Sequence, residues 1–331
     1  MLTLNDYLLL CRQHQASDLH LSSGQPPYLR LDGDLVALPY PPIAATQMAP
    51  LQAQALSPKQ MQRLQQQRAV DFAYTSAQGQ RFRGHAFNQR LGPSLTFRYL
   101  NADIPTLEAL RAPPILASLA QTSRGLILCT GPTGSGKSTT LAALIASINQ
   151  HQQKHVLTLE APIEYLHQSE RSLINQRDLD VDALDLATAL NDALRADPDV
   201  LVLSELRDLN SIRLALTAAE TGHLVLATLH SPSAAQTIHR LLDVFPDAEK
   251  NLIRAQLAAS LVAIVAQTLI KKKPAPGRIA AFEVLINTPA IAHLIREHKV
   301  VQIPSILQTQ KAVGMQTMAQ ALEQLQRQQL I

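Results

Sequence analysis

Gly131-Pro-Thr-Gly-Ser-Gly-Lys-Ser138 is the stretch from which the fold can be read. It fits the pattern G-x-x-x-x-G-K-[ST] at every fixed position. Ahead of it, Gly125 to Thr130 (GLILCT) is a short apolar run of strand type. Behind it, Thr140 to Ile148 (TLAALIASI) is rich in Ala and Leu and predicts a helix. Strand, glycine loop and helix in that order form a cradle for a polyphosphate. Glycine at 131, 134 and 136 lets backbone amides turn inward with no Cβ in the way. Those amides, and the positive end of the helix behind them, attract an anion. Gly131, Pro132, Thr133, Gly134, Ser135, Gly136, Lys137, Ser138 and Thr139 are thus the expected nucleotide-binding residues. Lys137 is placed to reach the β- and γ-phosphates of ATP, and the Ser138 hydroxyl to hold Mg²⁺.

Strand and helix patterns alternate outward from this loop. Further strands are predicted at 155–160 (HVLTLE), 200–204 (VLVLS), 223–229 (HLVLATL) and 279–285, with helices at 139–150, 182–196, 208–221 and 233–243. The strands are nearly continuous in apolar residues, as in a parallel sheet covered on both faces. The pattern is α/β, a doubly wound, mainly parallel sheet. Lys271 to Gly277 reads as a basic turn, and a helical tail closes the chain.

Residues 1–100 differ in character. Asp18 to Leu21 and Tyr28 to Leu31 alternate at period two, and Asp32-Gly33 between strand candidates signals a hairpin. Arg81 to Phe87 and Ser94 to Tyr99 predict two more strands. Ser57 to Arg68 predicts a helix with Ser57 as N-cap and Pro58 at its first position. This is a smaller α+β domain. Residues 101–112 form a linker, since Pro105, Pro113 and Pro114 fit neither helix interiors nor central strands. The P-loop domain then spans 113–331.

Length and composition set outer bounds. With 331 residues the chain accommodates two cored domains. A formal charge of +3 gives no argument for nucleic acid as a partner. The two cysteines, Cys11 and Cys129, lie far apart and offer neither a disulfide framework nor metal-ligand spacing. The first residues lack the basic region of a signal peptide, and the apolar stretch Leu257 to Ala266 is too short to span a bilayer. The expectation is a cytoplasmic chain that meets a membrane only through a partner.

Hydrolysis needs a carboxylate near Mg²⁺ and a group to orient water. Glu205 ends the apolar run VLVLSE and so projects from the carboxyl edge of the sheet, where ligands bind. It is the expected catalytic acid and a second Mg²⁺ ligand; the alternative is a strand cap paired with Arg207. Glu160 and Glu164, in the turn EAPIE, are further acids that could order water or metal; the alternative is that they only cap strand ends. His230 ends the strand 223–230, where it could sense the γ-phosphate or serve structure alone. His223, at the opposite end of that strand, reads as structural or inter-subunit.

Together these residues resemble the type IV pilus twitching-motility ATPases, the PilT-like branch of the secretion superfamily ATPases. Ala16 to Leu21 through Pro26-Pro27 to Asp34 is similar to that family's PAS-like N-terminal domain, and Ala86-Phe-Asn-Gln89 to its last strand. Glu160-Ala-Pro-Ile-Glu164 resembles its Asp box. Leu173 to Arg177, Ala193 to Arg195 with Asp197 to Asp199, and Ser204 to Asp208 resemble the segments around Walker B. Leu214 to His223 and Thr228 to His230 resemble its His box, and Gly314 to Thr317 a C-terminal motif.

The resemblance implies a RecA-like P-loop domain behind a PAS-like one, assembled as a homo-hexamer. It implies ATP held between domains, with Arg81, Arg83, Arg98 and Arg195 as candidates to neutralise phosphate charge. It also implies pilus retraction through an inner-membrane platform protein, with a paralogous motor ATPase as a possible partner. Three departures stand out. Ala161 replaces the usual Asp of the Asp box, Ala292-His293 replaces an Arg-Asn pair tied to retraction, and Ser204 replaces a Gly. They bear on coupling more than on nucleotide binding. They leave open an accessory subunit with slow turnover, beside a pilus-assembly or secretion ATPase. The latter usually carries a longer N-terminal region and a four-cysteine zinc insert; two isolated cysteines and a short first domain argue against it.

Overall fold

The structure, a computed structural model, describes residues 2–31, 33–100, 103–183, 185–273 and 277–331. By internal contacts the chain divides into one unit of Met1–Asp103 with Pro162–Leu166, and a second of Ile104–Ala161 with His167–Ile331.

The first unit comprises α1 (Leu4–Gln13), β1 (Asp18–Ser22), β2 (Tyr28–Leu31), β3 (Asp34–Ala37), α2 (Ala45–Ala55), α3 (Pro58–Gln67), β4 (Ala69–Thr75), β5 (Arg81–Gln89) and β6 (Gly92–Leu100). The strands form an antiparallel sheet in the order β3-β2-β1-β6-β5-β4. Phe72, Phe82 and Phe97 are fully buried, with the rings of Phe72 and Phe82 edge-on to Phe97 at 5.7 and 6.3 Å, the geometry that aromatic quadrupoles favour. Helix α3 begins as its sequence dictates: Pro58 takes the first position and the Ser57 hydroxyl accepts the Gln60 N–H. Strands β2 and β3 pair from Tyr28↔Ala37 to Leu31↔Asp34, as a hairpin requires; Asp32 of its turn lies outside the described residues.

The second unit comprises α4 (Ile115–Ala120), β7 (Gly125–Thr130), α5 (Lys137–His151), β8 (His155–Glu160), β9 (Leu173–Asp178), α6 (Leu179–Asp182), α7 (Leu186–Ala193), β10 (Val200–Leu203), α8 (Leu209–Glu220), β11 (Leu224–Leu229), α9 (Ala234–Asp243), α10 (Asp247–Ser260), β12 (Leu261–Lys271), β13 (Arg278–Ile286), α11 (Pro289–Arg296), α12 (Ile303–Thr309) and α13 (Met318–Arg327). Its sheet runs β13-β12-β7-β11-β10-β8-β9, parallel throughout except for β13. Period-two alternation divides each strand between two cores. Leu126 and Leu128 face one core that includes residues of α7 to α12, while Ile127 and Cys129 face another with residues of α4 and α5. Both faces of the sheet are therefore covered, the doubly wound arrangement that the apolar runs predict.

The structure adds elements that the sequence reading did not name, among them α1, α2, β4 and α10, and it groups Pro162–Leu166 with the first unit although they fall inside the span expected for the P-loop domain. Strand β12, next to the phosphate-loop strand, was not foreseen, nor was the edge strand β9. The helix expected at 182–196 is the shorter α7, preceded by the single turn α6. Residues 104–112, assigned to a linker, go with the second unit, because Leu107 and Ala112 pack on its core. Asn101 and Ala102 of that linker, and Pro274 to Pro276 of the basic turn, lie outside the described residues. Among the described residues no helix is long and apolar enough to cross a membrane.

Candidate nucleotide site

Parallel register fixes which strand ends meet. Leu203 pairs with Leu159 on one side and Ala227 on the other, and Leu229 pairs with Thr130. The carboxyl ends of β7, β8, β10 and β11 thus share one edge of the sheet, and Thr130, Glu160, Glu205 and His230 come to it. That edge of an open α/β sheet is where ligands bind.

The glycine loop leaves β7 and enters α5 as its sequence predicts. Gly131, Gly134 and Gly136 have φ of 146°, 75° and 89°, values that L side chains rarely adopt. A Cβ on Gly131 would lie 2.2 Å from the Gln267 carbonyl oxygen, and one on Gly136 would lie 2.7 Å from Gln267 Nε2. The loop therefore rests on Gln267 of β12 at both ends. The Gln267 side chain also accepts the Thr140 hydroxyl at 2.7 Å, and both residues are buried. A polar residue inside the apolar run LVAIVAQTLIK was the signal for Gln267, and the sequence reading missed it.

Lys137, the first residue of α5, is buried. It donates to the carbonyls of Gly131 at 2.9 Å and Pro132 at 3.0 Å. Its Nζ also lies 3.4 Å from His230 Nδ1. Across the ring, His230 Nε2 lies 3.3 Å from Glu205 Oε2. An ammonium has only protons to offer, so Nδ1 is the accepting nitrogen. Neutral His230 then carries its proton on Nε2, facing the carboxylate. Arg207 donates to the same Glu205 oxygen at 2.8 Å. Glu205 thus pairs with Arg207 and also stands at the loop edge beside His230.

Neighbouring contacts fix these groups. The Thr130 hydroxyl donates to Ser231 O at 2.8 Å and accepts Ser231 N–H at 3.0 Å, joining the ends of β7 and β11. Arg240 of α9 donates to His230 O at 2.7 Å. Glu160 accepts the Thr158 hydroxyl at 2.7 Å and the Gln176 amide of β9 at 3.1 Å. Ala161 is exposed. Ser204 is outside the left-handed region, so its backbone does not require glycine; its carbonyl accepts the Thr228 hydroxyl. Burial pushes the Cys129 thiol beneath the loop up to about 12, so it supplies no nucleophile.

Glu164 belongs to the first unit, as do Arg81, Arg83 and Arg98. Arg81 donates to Ile163 O at 2.5 Å. Arg83 and Arg98 stand directly opposite one another on β5 and β6. Arg98 binds Asp18 at 2.8 Å, which offsets the like-charge pairing. Arg195 is exposed beyond α7, at the amino edge of the sheet, where Asp199 N–H bonds His155 O at the start of β8. Within this chain it is not brought to the phosphate loop. His223 sits at that same amino edge, its Nδ1 3.0 Å from Ala218 O.

The donor set suits a magnesium-bound nucleotide. The loop has room for backbone-to-phosphate approach, with open space where a Cβ on Gly134 would stand. The Ser135 hydroxyl is buried with no hydrogen-bond partner inside the protein. Lys137, the half-buried Ser138 and the Glu205 carboxylate supply the charge and oxygen ligands that a polyphosphate and a hard cation take.

Residues 3–329 match the family model described as type II/IV secretion system protein. The chain is 48% identical to a twitching motility protein of Neisseria gonorrhoeae, over 92% of this chain and 82% of that one. It is 46% identical to the type IV pilus retractation ATPase PilT of Pseudomonas aeruginosa, over 97% and 93%. A crystal structure of the pilus retraction motor PilT with bound ADP superimposes with a TM-score of 0.91 at 40% identity, covering 100% of this chain and 95% of that one.

Proposed function

We propose that this chain, which belongs to the type II/IV secretion system protein family, is a P-loop ATPase whose turnover powers retraction of a type IV pilus. The line Lys137–His230–Glu205 carries this reading, because it joins a phosphate-binding ammonium to a carboxylate placed for water. The activities named for its relatives support it.

In this account the amides of the loop and the Lys137 ammonium hold the β- and γ-phosphates. Gly131 O and Pro132 O keep that ammonium inside the loop. Ser138 and Glu205 are the residues that would hold Mg²⁺, which, when bound, neutralises phosphate charge as a Lewis acid. Glu205 orients the attacking water and takes its proton, and the Nε2–H of His230 holds the carboxylate in place. Glu160, fixed by Thr158 and Gln176, adds a second carboxylate at the same edge. Arg81, Arg83 and Arg98 are the proposed phosphate-neutralising arginines of the assembled protein. The partners of this reading are five further copies in a homo-hexamer and a pilus platform protein at the inner membrane. A paralogous motor could share the work. The chain itself is cytoplasmic.

A second reading, an accessory subunit with slow turnover, draws on Ala161 and on the Glu205 oxygen already held by Arg207. Deletion separates the two. Retraction predicts excess surface pili and lost twitching, restored by the parent gene and not by Lys137→Ala. Loss of pili would instead indicate assembly, and an unchanged strain an accessory role.

A further inference from the structure

Glu283 is a charged residue in the middle of the apolar strand β13. Its neighbours on the same face serve different helices: Ala281 packs with Ala321 and Leu325 of α13, and Leu285 lies in the core that includes Ile238 of α9. Glu283 stands at the seam between them. Its Oε1 accepts the N–H of Ala234, the first residue of α9, at 2.8 Å. Its Oε2 accepts the N–H of Met318, the first residue of α13, at 3.3 Å.

Each helix already has a side-chain cap. Ser233 accepts from Gln236 N–H and Thr317 from Gln320 N–H. Glu283 adds to these by taking the first N–H of both, and places one negative charge at two positive helix ends. The two helices lead to different places. Helix α9 leads to the nucleotide site, since Ser231 to Ser233 join it to His230 and Arg240 on it holds His230 O at 2.7 Å. Helix α13 leads to the C-terminal motif. There Gln316 pairs with Val284 through both backbone groups and donates its side-chain amide to Phe282 O. Gly314, at φ 89°, packs so closely on Ile115 of α4 that a Cβ would lie 2.8 Å from that side chain.

We propose that Glu283 is a positioning residue that transmits the seating of residues 314–318 and α13 to His230, and so sets the rate of ATP turnover while leaving nucleotide affinity alone. The proposal rests on the ATPase reading above.

Two variants of the full chain test it. Met318→Pro removes one of the two N–H donors. Proline is favoured at a helix's first position, and Thr317, at φ −82° and ψ 160°, already has the conformation that precedes proline. Glu283→Gln keeps the shape, removes the charge and leaves one oxygen for two donors. The expected result is kcat lowered about tenfold in both, with KM and ADP affinity unchanged, less than the ~100-fold loss that a displacement of about 1 Å at the chemistry brings. Hydrogen exchange supplies a readout that does not depend on turnover: in Met318→Pro, amides 234–237 of α9 should exchange faster although the change is in α13. Parental kcat in both variants would overturn the proposal, and so would equal losses of kcat and affinity together with a lowered melting temperature. A parent no faster than Lys137→Ala would sink the ATPase reading. Exchange at 234–237 would then still decide whether the clamp couples the two helices, an unchanged rate counting against it.

Discussion

His230 Nε2 lies 3.3 Å from the Glu205 carboxylate, while the other ring nitrogen faces the Lys137 ammonium at 3.4 Å. One imidazole thus links the phosphate-binding cation to the acid, with a tautomer dictated by the ammonium. His230→Ala should lower kcat by ~10²-fold, the lower end of what a positioned proton-handling group contributes, with nucleotide affinity changed by less than about threefold. Steady-state kinetics with ADP titration checks this. Nitrogen NMR of the imidazole should show the Nε2–H form.

Gln267 predicts an effect on binding instead. Gln267→Leu keeps the volume beneath the loop but leaves the buried Thr140 hydroxyl without its acceptor, at a cost of about 1–3 kcal/mol. Thermal unfolding should show the loss. Because Gln267 supports both Gly131 and Gly136, ADP should also bind more weakly. A variant with parental affinity would mean that β12 supports the loop through its backbone alone.

Acid should loosen the turn beside Glu160. Burial lowers His167 from the ordinary 6.5 to about 4. The folded state keeps this ring neutral, whereas the unfolded chain protonates it below about pH 6.5. Stability is therefore lost as pH falls from about 6.5 to about 4, and levels off below that. The backbone N–H of His167 binds Gln176, whose amide binds Glu160, so the effect falls near the site. His167→Gln should shrink the difference in melting temperature between pH 7 and pH 4.5; an undiminished difference would assign it to other groups.

The sequence made the loop and strands β7, β8, β10 and β11 legible because each is a short apolar run ending in a polar residue at the ligand edge. Strand β12 was hidden because the apolar stretch Leu257 to Ala266 passes from the last turn of α10 straight into the strand, and periodicity cannot divide a continuous apolar run. Strand β9 was hidden for the opposite reason. Of LINQRD only Ile174 and Asp178 are buried, as suits an edge. Glu205 and His230 were legible as strand ends, but their distance was not, since it depends on the register of β10 and β11. The place of Arg195 was not legible either: the family resemblance of the stretch Ala193 to Asp199 does not say which end of β10 the residue flanks. Glu283 stood in plain view as an acid inside an apolar strand, yet both of its partners lie more than thirty residues away in sequence.

The most direct measurement is steady-state ATP hydrolysis with Mg²⁺ by the parent chain and by Glu205→Gln, each paired with an ADP titration. The account predicts turnover in the parent, none above background in Glu205→Gln, and the same ADP affinity in both. Hydrolysis by Glu205→Gln at the parental rate would contradict it, and would take the catalytic carboxylate away from the end of β10.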